Sequence, residues 1–267
     1  MSGDAGTRSG GRRIALLLEY DGTAYSGSQY QDNGPSIQSE LESAVQELTG
    51  VTVRVAFAGR TDAGVHALGQ VAAFEITSRL TPAEIVPALN RFLPSGIAVR
   101  AVREVDAAFD PRRDARSRAY RYRIDNRPVR SPLERDRMWH VPKPLDVGAM
   151  QRAGRRLEGA HNFAAFAAPY DGLTERTLRR CEVTARCGRV TVEMEAQAFL
   201  PHQVRRTVGP LVEIGLGRMT EDALAVLLDE AKPSTAGPAA PACGLYLVQV
   251  AYDGLDFGLD QRNGQER

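Results

Sequence analysis

Apolar residues in the first half of the chain recur alternately at helical and at strand spacing. Ser36 precedes an apolar stripe that ends at Gly50, which predicts a helix capped by serine and ended by glycine. Thr81-Pro82-Ala83-Glu84 has the sequence of a capping box with proline at the first helical position, and it predicts a second helix to about Phe92. Four apolar runs predict strands, at residues 14–20, 51–57, 68–74 and 97–105.

The second half repeats this alternation. Strands are predicted at residues 120–124, 178–185, 190–199 and 245–251, with Gly188 as the turn of a hairpin. Helices are predicted at about 146–157, 203–216 and 221–230, although Gly209-Pro210 should bend or break the second of these. Helices mixed with hairpin-linked strands predict an α+β protein, with two ferredoxin-like α/β halves whose sheets meet. Periodicity alone does not fix that topology.

The segments between and beyond these elements set the predicted domain organisation. The two halves are predicted at residues 13–106 and 107–254, with a flexible N-terminal tail at 1–12 and a C-terminal tail at 255–267. The proline- and alanine-rich stretch 231–242 is predicted to be a surface loop, and residues 257–267 are expected to be frayed.

Composition is that of an ordinary globular protein, with 43% hydrophobic and 25% charged residues and a net charge of +1. The arginines are unevenly distributed, because the segment 100–137 carries twelve of them against seven acidic residues. Such a segment is suited to contact a polyanion such as nucleic acid, and it is equally compatible with a solvated strand face.

Three cysteines without Cys-x-x-Cys spacing indicate neither a disulfide framework nor a zinc site. No apolar run approaches the roughly 18 residues that a membrane span needs, and residues 1–11 lack the apolar core of a signal peptide. We therefore expect a cytoplasmic protein that does not bind membranes.

The segment Ala58-Gly59-Arg60-Thr61-Asp62-Ala63-Gly64-Val65-His66-Ala67 places a carboxylate and a cation in a glycine-containing turn between two predicted strands. Asp62 is thus predicted on a loop held by a sheet, where catalytic residues are common. The local pattern fits equally well a β-turn closed by the aspartate side chain, with Arg60 as a solvated surface ion. His66 follows Asp62 at metal-ligand spacing, but no second ligand cluster supports a metal site, and His66 is expected to pack behind the loop.

The nine residues 59–67 resemble the catalytic signature of the tRNA pseudouridine synthase A (TruA) family. Further segments resemble the family in the same order along the chain. They are residues 19–27, 36–42, 93–99, 109–122, 199–209 and 244–248.

The resemblance implies a pseudouridine synthase fold with a mixed, mainly antiparallel sheet. It also implies an isomerase without a cofactor or metal, which converts uridine to pseudouridine at positions 38, 39 or 40 of the tRNA anticodon stem-loop. Asp62 would be the catalytic residue, as nucleophile or base, and Arg205 its ion-pair partner. Tyr120 would contact the target base, Arg60 would bind substrate, and the protein would bind tRNA as a homodimer.

Departures from the family pattern affect grip on the RNA more than activity. Ser28 and Arg113 stand where the family often has aromatic residues, and unusual residues flank His202. Two alternatives remain: a non-catalytic RNA-binding protein with two ferredoxin-like units, and a hydrolase that uses Asp62 and His66, which metal dependence would distinguish.

Overall fold

The computed structural model describes residues 11–32 and 34–258. Most of the predicted N-terminal tail and the last nine residues, 259–267, lie outside this described part. Phe257, which was expected to begin a frayed end, is instead only 3% exposed. Its carbonyl oxygen accepts a hydrogen bond from Arg103 at 2.8 Å, so that part of the prediction is wrong.

The first half of the chain begins with a long strand, and its two helices each connect one strand to the next. Its elements are β1 (Arg12–Tyr20), α1 (Ile37–Thr49), β2 (Ala56–Phe57), β3 (His66–Ile76), α2 (Pro82–Phe92) and β4 (Ile97–Glu104).

The second half contains the remaining six strands and three helices of the described part. They are β5 (Ala115–Asp125), β6 (Trp139–His140), α3 (Val147–Arg156), β7 (Gly159–Asn162), β8 (Glu175–Arg186), β9 (Arg189–Ala196), α4 (Gln203–Gly215), α5 (Glu221–Glu230) and β10 (Leu245–Tyr252).

The strands form one mixed, mainly antiparallel sheet in the order β4-β1-β3-β10-β5-β9-β8-β7, with β2 added to β3 and β6 to β5. Within it, β4-β1-β3-β2 and β10-β5-β9-β8 have the same ferredoxin-like arrangement. The two arrangements join where β3 and β10 run parallel, pairing His66 with Tyr246 and Ala67 with Leu247. The fold class predicted from the sequence is therefore confirmed, while the boundary at residues 106 and 107 stays a prediction.

Local sequence explains where the helices begin. Ser36 and Ser39 at the start of α1, and Thr81 and Glu84 at the start of α2, form reciprocal capping boxes. Gly50 ends α1 in the left-handed conformation, with φ of 71°. These predicted helix boundaries are confirmed.

A single cluster of buried apolar side chains extends through both halves. It contains six of the nine residues of β1 and five of the eleven residues of β3, whose near-continuous apolar sequences fit strands that lie inside the sheet. In the second half, α3 packs against β8, α4 and α5. The halves therefore share one core, which fixes their relative position at the β3–β10 junction.

Three elements differ from their predictions. Of residues 51–57, only Ala56 and Phe57 pair with β3, since Val55 donates instead to Glu42 and Val51 is 49% exposed. The strand predicted at 190–199 ends at Ala196.

The third difference concerns α4, which runs without interruption through Gly209 and Pro210. Val208 and Leu211 on either side are completely buried. Tertiary packing of this apolar face therefore outweighs the missing proline N–H.

Candidate active site at the junction of the two halves

Asp62 lies in the connection between β2 and β3, which we call the Asp62 loop (residues 58–65). Val65 N–H donates to the Asp62 carbonyl oxygen at 3.1 Å, and Gly64 adopts a φ of 77° that favours glycine. Gly59 does not need this freedom, because its φ is not positive and an added Cβ would make only ordinary contacts. The loop therefore needs the conformational freedom of glycine at Gly64 but not at Gly59.

Thr61, directly before Asp62, holds the loop to the first strand and to the segment after it. Its N–H donates to Ser28 Oγ at 2.8 Å, and its carbonyl oxygen accepts from Ser28 N–H at 3.0 Å. Its hydroxyl lies 2.9 Å from that of Tyr20, whose burial raises the pKa of the phenol to about 12. Ser28, which departs from the family pattern, is 1% exposed, so its two hydrogen bonds to Thr61 hold the loop from a buried position.

The structure brings Asp62 and Arg205 together across 143 residues of sequence. Arg205 Nη1 donates to Asp62 Oδ2 at 2.7 Å, while its Nε donates to the carbonyl oxygen of Ala240 at 2.8 Å. The side chain of Asp62 is 33% exposed and that of Arg205 is 16% exposed. The guanidinium is therefore fixed from behind, and it orients a carboxylate that still meets solvent.

The segment 231–242, predicted as a surface loop, supports this arrangement. Ala236 and Ala240 are buried, and the carbonyl oxygens of Ser234 and Gly237 accept hydrogen bonds from Arg206. The segment thus packs along α4 and aligns Arg205, which its proline- and alanine-rich composition did not predict.

Tyr120 lies on β5 with its ring edge-on to Phe199, at a centroid distance of 5.2 Å. It is only 8% exposed, and burial raises the pKa of its hydroxyl above the ordinary range. The negative charge of Asp62 contributes to the same shift, which places the phenol within electrostatic reach of the carboxylate. The hydroxyl is therefore neutral at physiological pH and can donate a hydrogen bond. Tyr122 is fully buried, as expected of a core residue.

Arg60 lies on the exposed side of the Asp62 loop. Together with Arg112 it lines a cavity of about 200 Å³ whose other walls include Gln29, Gln38 and Phe57. Two guanidinium groups and two amides next to the loop form a suitable surface for a phosphate and a base of a nucleic acid.

His66, whose spacing from Asp62 suggested a metal ligand, packs behind the loop with a polar partner at each ring nitrogen. Its Nδ1 accepts from Gly22 N–H at 3.1 Å, its Nε2 lies 3.0 Å from the Asp136 carbonyl oxygen, and its ring stacks on Tyr246 at 4.7 Å. Burial lowers its pKa, opposed by the nearby carboxylate of Asp21. The expectation that His66 packs behind the loop is confirmed.

Sequence reasoning missed His202, which precedes α4 and lies beside the predicted pair. Its Nε2 is 3.6 Å from Asp62 Oδ1, beyond hydrogen-bonding distance, and its backbone is left-handed with φ of 60°. A strained non-glycine residue directly before the helix that carries Arg205 is a frequent feature of functional sites. The sequence signal that could have identified His202 as a site residue is its position three residues before Arg205.

Gln70 was also missed, although a lone amide within the apolar run of β3 is a detectable signal. It is completely buried, accepts from Gly59 N–H at 3.3 Å, and donates to the Gly59 carbonyl oxygen at 2.8 Å. Gln70 therefore fixes the start of the Asp62 loop.

The arginine-rich segment 100–137 is less free than its sequence suggests. At least seven of its twelve arginines form ion pairs with carboxylates, so the local excess of charge is largely balanced. Those seven are Arg100, Arg113, Arg116, Arg121, Arg127, Arg135 and Arg137. Arg113 pairs with Asp110, which accounts for a charged side chain at the second departure from the family pattern.

Within residues 11–32 and 34–258, no three His, Cys, Asp or Glu side chains are grouped so that they could hold a metal ion. The helices of this part are also too short or too polar to cross a bilayer. The chemically distinctive groups near Asp62 are thus a guanidinium, a phenol and an imidazole. A carboxylate so oriented can act as a nucleophile or as a general base on a ligand that enters from the solvent side.

Comparison of the sequence with known proteins finds similarity to one family. A family description, "tRNA pseudouridine synthase", matches residues 17–112 and 153–253. The tRNA pseudouridine synthase A of Myxococcus xanthus is 47% identical over 244 residues, covering 90% of this chain and 92% of that protein. The proteins of the same name from Pelobacter propionicus and Roseiflexus castenholzii are 44% and 46% identical, with 90% of this chain and 100% and 91% of theirs covered.

Proposed function

Because this chain belongs to the tRNA pseudouridine synthase family, an isomerase family, we propose that it converts uridine to pseudouridine at one or more of positions 38, 39 and 40 of the tRNA anticodon stem-loop. In this proposal Asp62 is the catalytic residue and the reaction needs no cofactor. The chain covers more than nine-tenths of the length of these relatives.

The contact between Arg205 and Asp62 is the observation that carries the proposal. It joins a loop of the first half to a helix of the second half at 2.7 Å, in the position where the shared sheet brings the halves together. A surface ion pair alone would contribute little to stability, whereas a guanidinium held by Ala240 orients the carboxylate for chemistry.

The reaction breaks the bond between N1 of the base and C1′ of the ribose and forms a bond between C5 and C1′. The proton at C5 leaves and N1 gains one, so the overall change needs no external oxidant or reductant. An ionised Asp62 serves each of three routes, namely attack at C6, attack at C1′ and abstraction of the C2′ proton. The tests below do not depend on which route operates.

Tyr120 is proposed to contact the target base. A uridine in the stem must leave the helix before a carboxylate can reach its sugar, which costs a few kcal/mol. A phenol whose pKa is raised by burial is neutral at physiological pH and can donate a hydrogen bond to a base oxygen. Its 8% exposure means that the base would meet mainly the hydroxyl edge of the ring.

The proposed partners are tRNA and a second copy of the chain, in the cytoplasm. Arg60 and Arg112, which line the cavity beside the Asp62 loop, are proposed to contact the tRNA backbone.

The experiment uses tRNA labelled with tritium at C5 of uridine, since isomerisation releases that tritium to water. Three substrates, each with uridine at only one of positions 38, 39 and 40, identify the reacting nucleotide. Wild-type protein should release tritium in the presence of EDTA, and Asp62→Ala should not. Binding of tRNA without release would instead identify a non-catalytic RNA-binding protein. Release that EDTA abolishes would show that a metal takes part.

A further inference from the structure

Arg118 is a buried cation that the proposed mechanism has not used. It lies on β5, two residues before Tyr120, so the two side chains project from the same face of the strand. It is 8% exposed, whereas Arg116, two residues earlier on the strand, pairs with Asp253 at the surface. Burial lowers the pKa of Arg118, yet an arginine remains protonated at neutral pH.

The partners of Arg118 are all carbonyl oxygens within the described part of the chain. Nε and Nη2 donate to the Ala58 carbonyl oxygen at 3.1 and 2.7 Å. Nη1 donates to that of Gln197 at 2.6 Å, and Nη2 also donates to that of Arg112 at 2.8 Å. A guanidinium buried without a carboxylate is costly, and only a dense set of such hydrogen bonds offsets the cost.

These three carbonyls belong to three segments that converge on the candidate active site. Ala58 begins the Asp62 loop, and Gln197 begins the connection from β9 to the helix that carries Arg205. Arg112 lines the cavity beside Arg60. One planar side chain therefore sets the spacing between the segment that supplies the carboxylate and the segment that supplies its partner.

The side chain also approaches the tyrosine that the mechanism uses. A Cβ placed on Gly59 would lie 3.7 Å from the Tyr120 hydroxyl oxygen and 3.8 Å from Arg118 Nε. Both groups thus face the same point of the loop backbone, and the positive charge of Arg118 acts on the Tyr120 hydroxyl.

We infer that Arg118 is a positioning residue for the isomerisation, which holds the Asp62 loop, the approach to α4 and the cavity wall at Arg112 in one fixed geometry. This inference rests on the proposed function, because it assigns Arg118 to the same step as Asp62. Its side chain acts through the backbone of other residues and is too buried to bind a phosphate of tRNA.

The test compares Arg118→Lys and Arg118→Ala with Arg116→Ala, an arginine two residues earlier on the same strand. Tritium release is measured per folded molecule, and tRNA binding is measured separately. Lysine keeps the charge, but one nitrogen cannot reach three separate segments. We expect Arg118→Lys to lower kcat about 10- to 100-fold and to change the Kd for tRNA less than about threefold, since small displacements of catalytic groups have effects of this size.

Rescue by an added ion separates positioning from general stability. Guanidinium at concentrations well below those that unfold proteins should restore at least part of the kcat of Arg118→Ala by occupying the vacated space. It should not raise the kcat of Arg116→Ala. If Arg118→Ala does not fold, the kcat and the tRNA binding of Arg118→Lys test the inference by themselves.

Two results would overturn the inference. One is a kcat for Arg118→Lys within twofold of wild type per folded molecule. The other is a loss in tRNA affinity equal to the loss in kcat/KM, which would make Arg118 a contact to RNA. Either result, together with an inactive Asp62→Ala, leaves the proposed function intact. An active Asp62→Ala would contradict the proposed function itself.

Discussion

The two halves have the same strand order, but they differ at equivalent hairpins. Between β2 and β3 the first half has the eight-residue Asp62 loop, anchored by Ser28 and Gln70. Between β8 and β9 the second half has only Cys187 and Gly188, in a tight left-handed turn. One hairpin carries the proposed active site and the other only reverses the chain.

The helices that follow these hairpins also differ: α2 has a regular start and α4 an irregular one. In the first half, α2 begins at Thr81 with a regular capping box. In the second half, α4 begins at His202 in a strained conformation without a side-chain cap, and it directs Arg205 to Asp62. The repeated topology therefore supplies a symmetric frame, while the reactive groups come from non-equivalent positions that meet at the β3–β10 junction.

The largest effect is expected at the contact between the halves. Arg205→Met should lower kcat about 100-fold, because it leaves the carboxylate of Asp62 without the charge that orients it. Arg206→Met is the control, since Arg206 contacts the same 231–242 segment but not Asp62. Tritium release and tRNA binding are measured for both. An equal loss of turnover and binding in Arg205→Met would identify a phosphate contact instead.

The second comparison concerns two tyrosines of β5 on the same face of the strand. Tyr120→Phe removes the hydroxyl near the Asp62 loop and should lower kcat about tenfold. Tyr122→Phe removes a hydrogen bond to the Pro241 carbonyl oxygen and should lower the free energy of unfolding by about 1 kcal/mol with kcat unchanged. Kinetics and urea unfolding distinguish them. Similar kcat values for the two variants would contradict a role for the Tyr120 hydroxyl.

The two hairpins can be compared by one substitution at each: Ser28, which contacts the Asp62 loop, and Cys187, in the turn between β8 and β9. Ser28→Ala leaves the buried Thr61 N–H without its acceptor, so we expect a loss of about 1–2 kcal/mol in stability and about threefold in kcat. Cys187→Ser, in the exposed turn between β8 and β9, should change stability by less than about 0.5 kcal/mol. Thermal unfolding and tritium release measure both effects. An unchanged Ser28→Ala would show that this contact with the loop is dispensable.

The smallest effect concerns the junction and its dependence on pH. Burial lowers the pKa of His66 in the folded state, so the unfolded state binds its proton more readily. Stability is therefore fully present above the unfolded pKa of about 6.5 and is lost as the pH falls through and below it, by at most about 1.4 kcal/mol per pH unit.

Urea unfolding at pH 7.5 and 5.5 measures the His66 effect. The variant His66→Gln should flatten the dependence, and His161→Gln, on the outer strand β7, is the control. An equal slope in wild type and His66→Gln would assign the pH dependence to another group.

Sequence patterns predicted the helices well, because caps such as Ser36 and Thr81 are local signals. Residues 51–55 were predicted wrongly because strand formation there depends on a partner edge that local sequence does not contain. Asp62, Arg205 and Tyr120 were assigned through resemblance to a family, since no local pattern connects residues so far apart. Arg118 and His202 were missed because their contacts include residues far away in the sequence, Ala58 for Arg118 and Asp62 for His202.

The central claim is that Asp62 and Arg205 act as one unit across the junction. A double-mutant cycle measures it directly, with single-turnover tritium release by wild type, Asp62→Asn, Arg205→Met and the double variant, enzyme being in excess over tRNA. If the residues act together, Arg205→Met should cost less than about threefold once Asp62 has been replaced, because groups that act as a unit are strongly non-additive. A double variant whose loss equals the product of the two single losses would contradict the account.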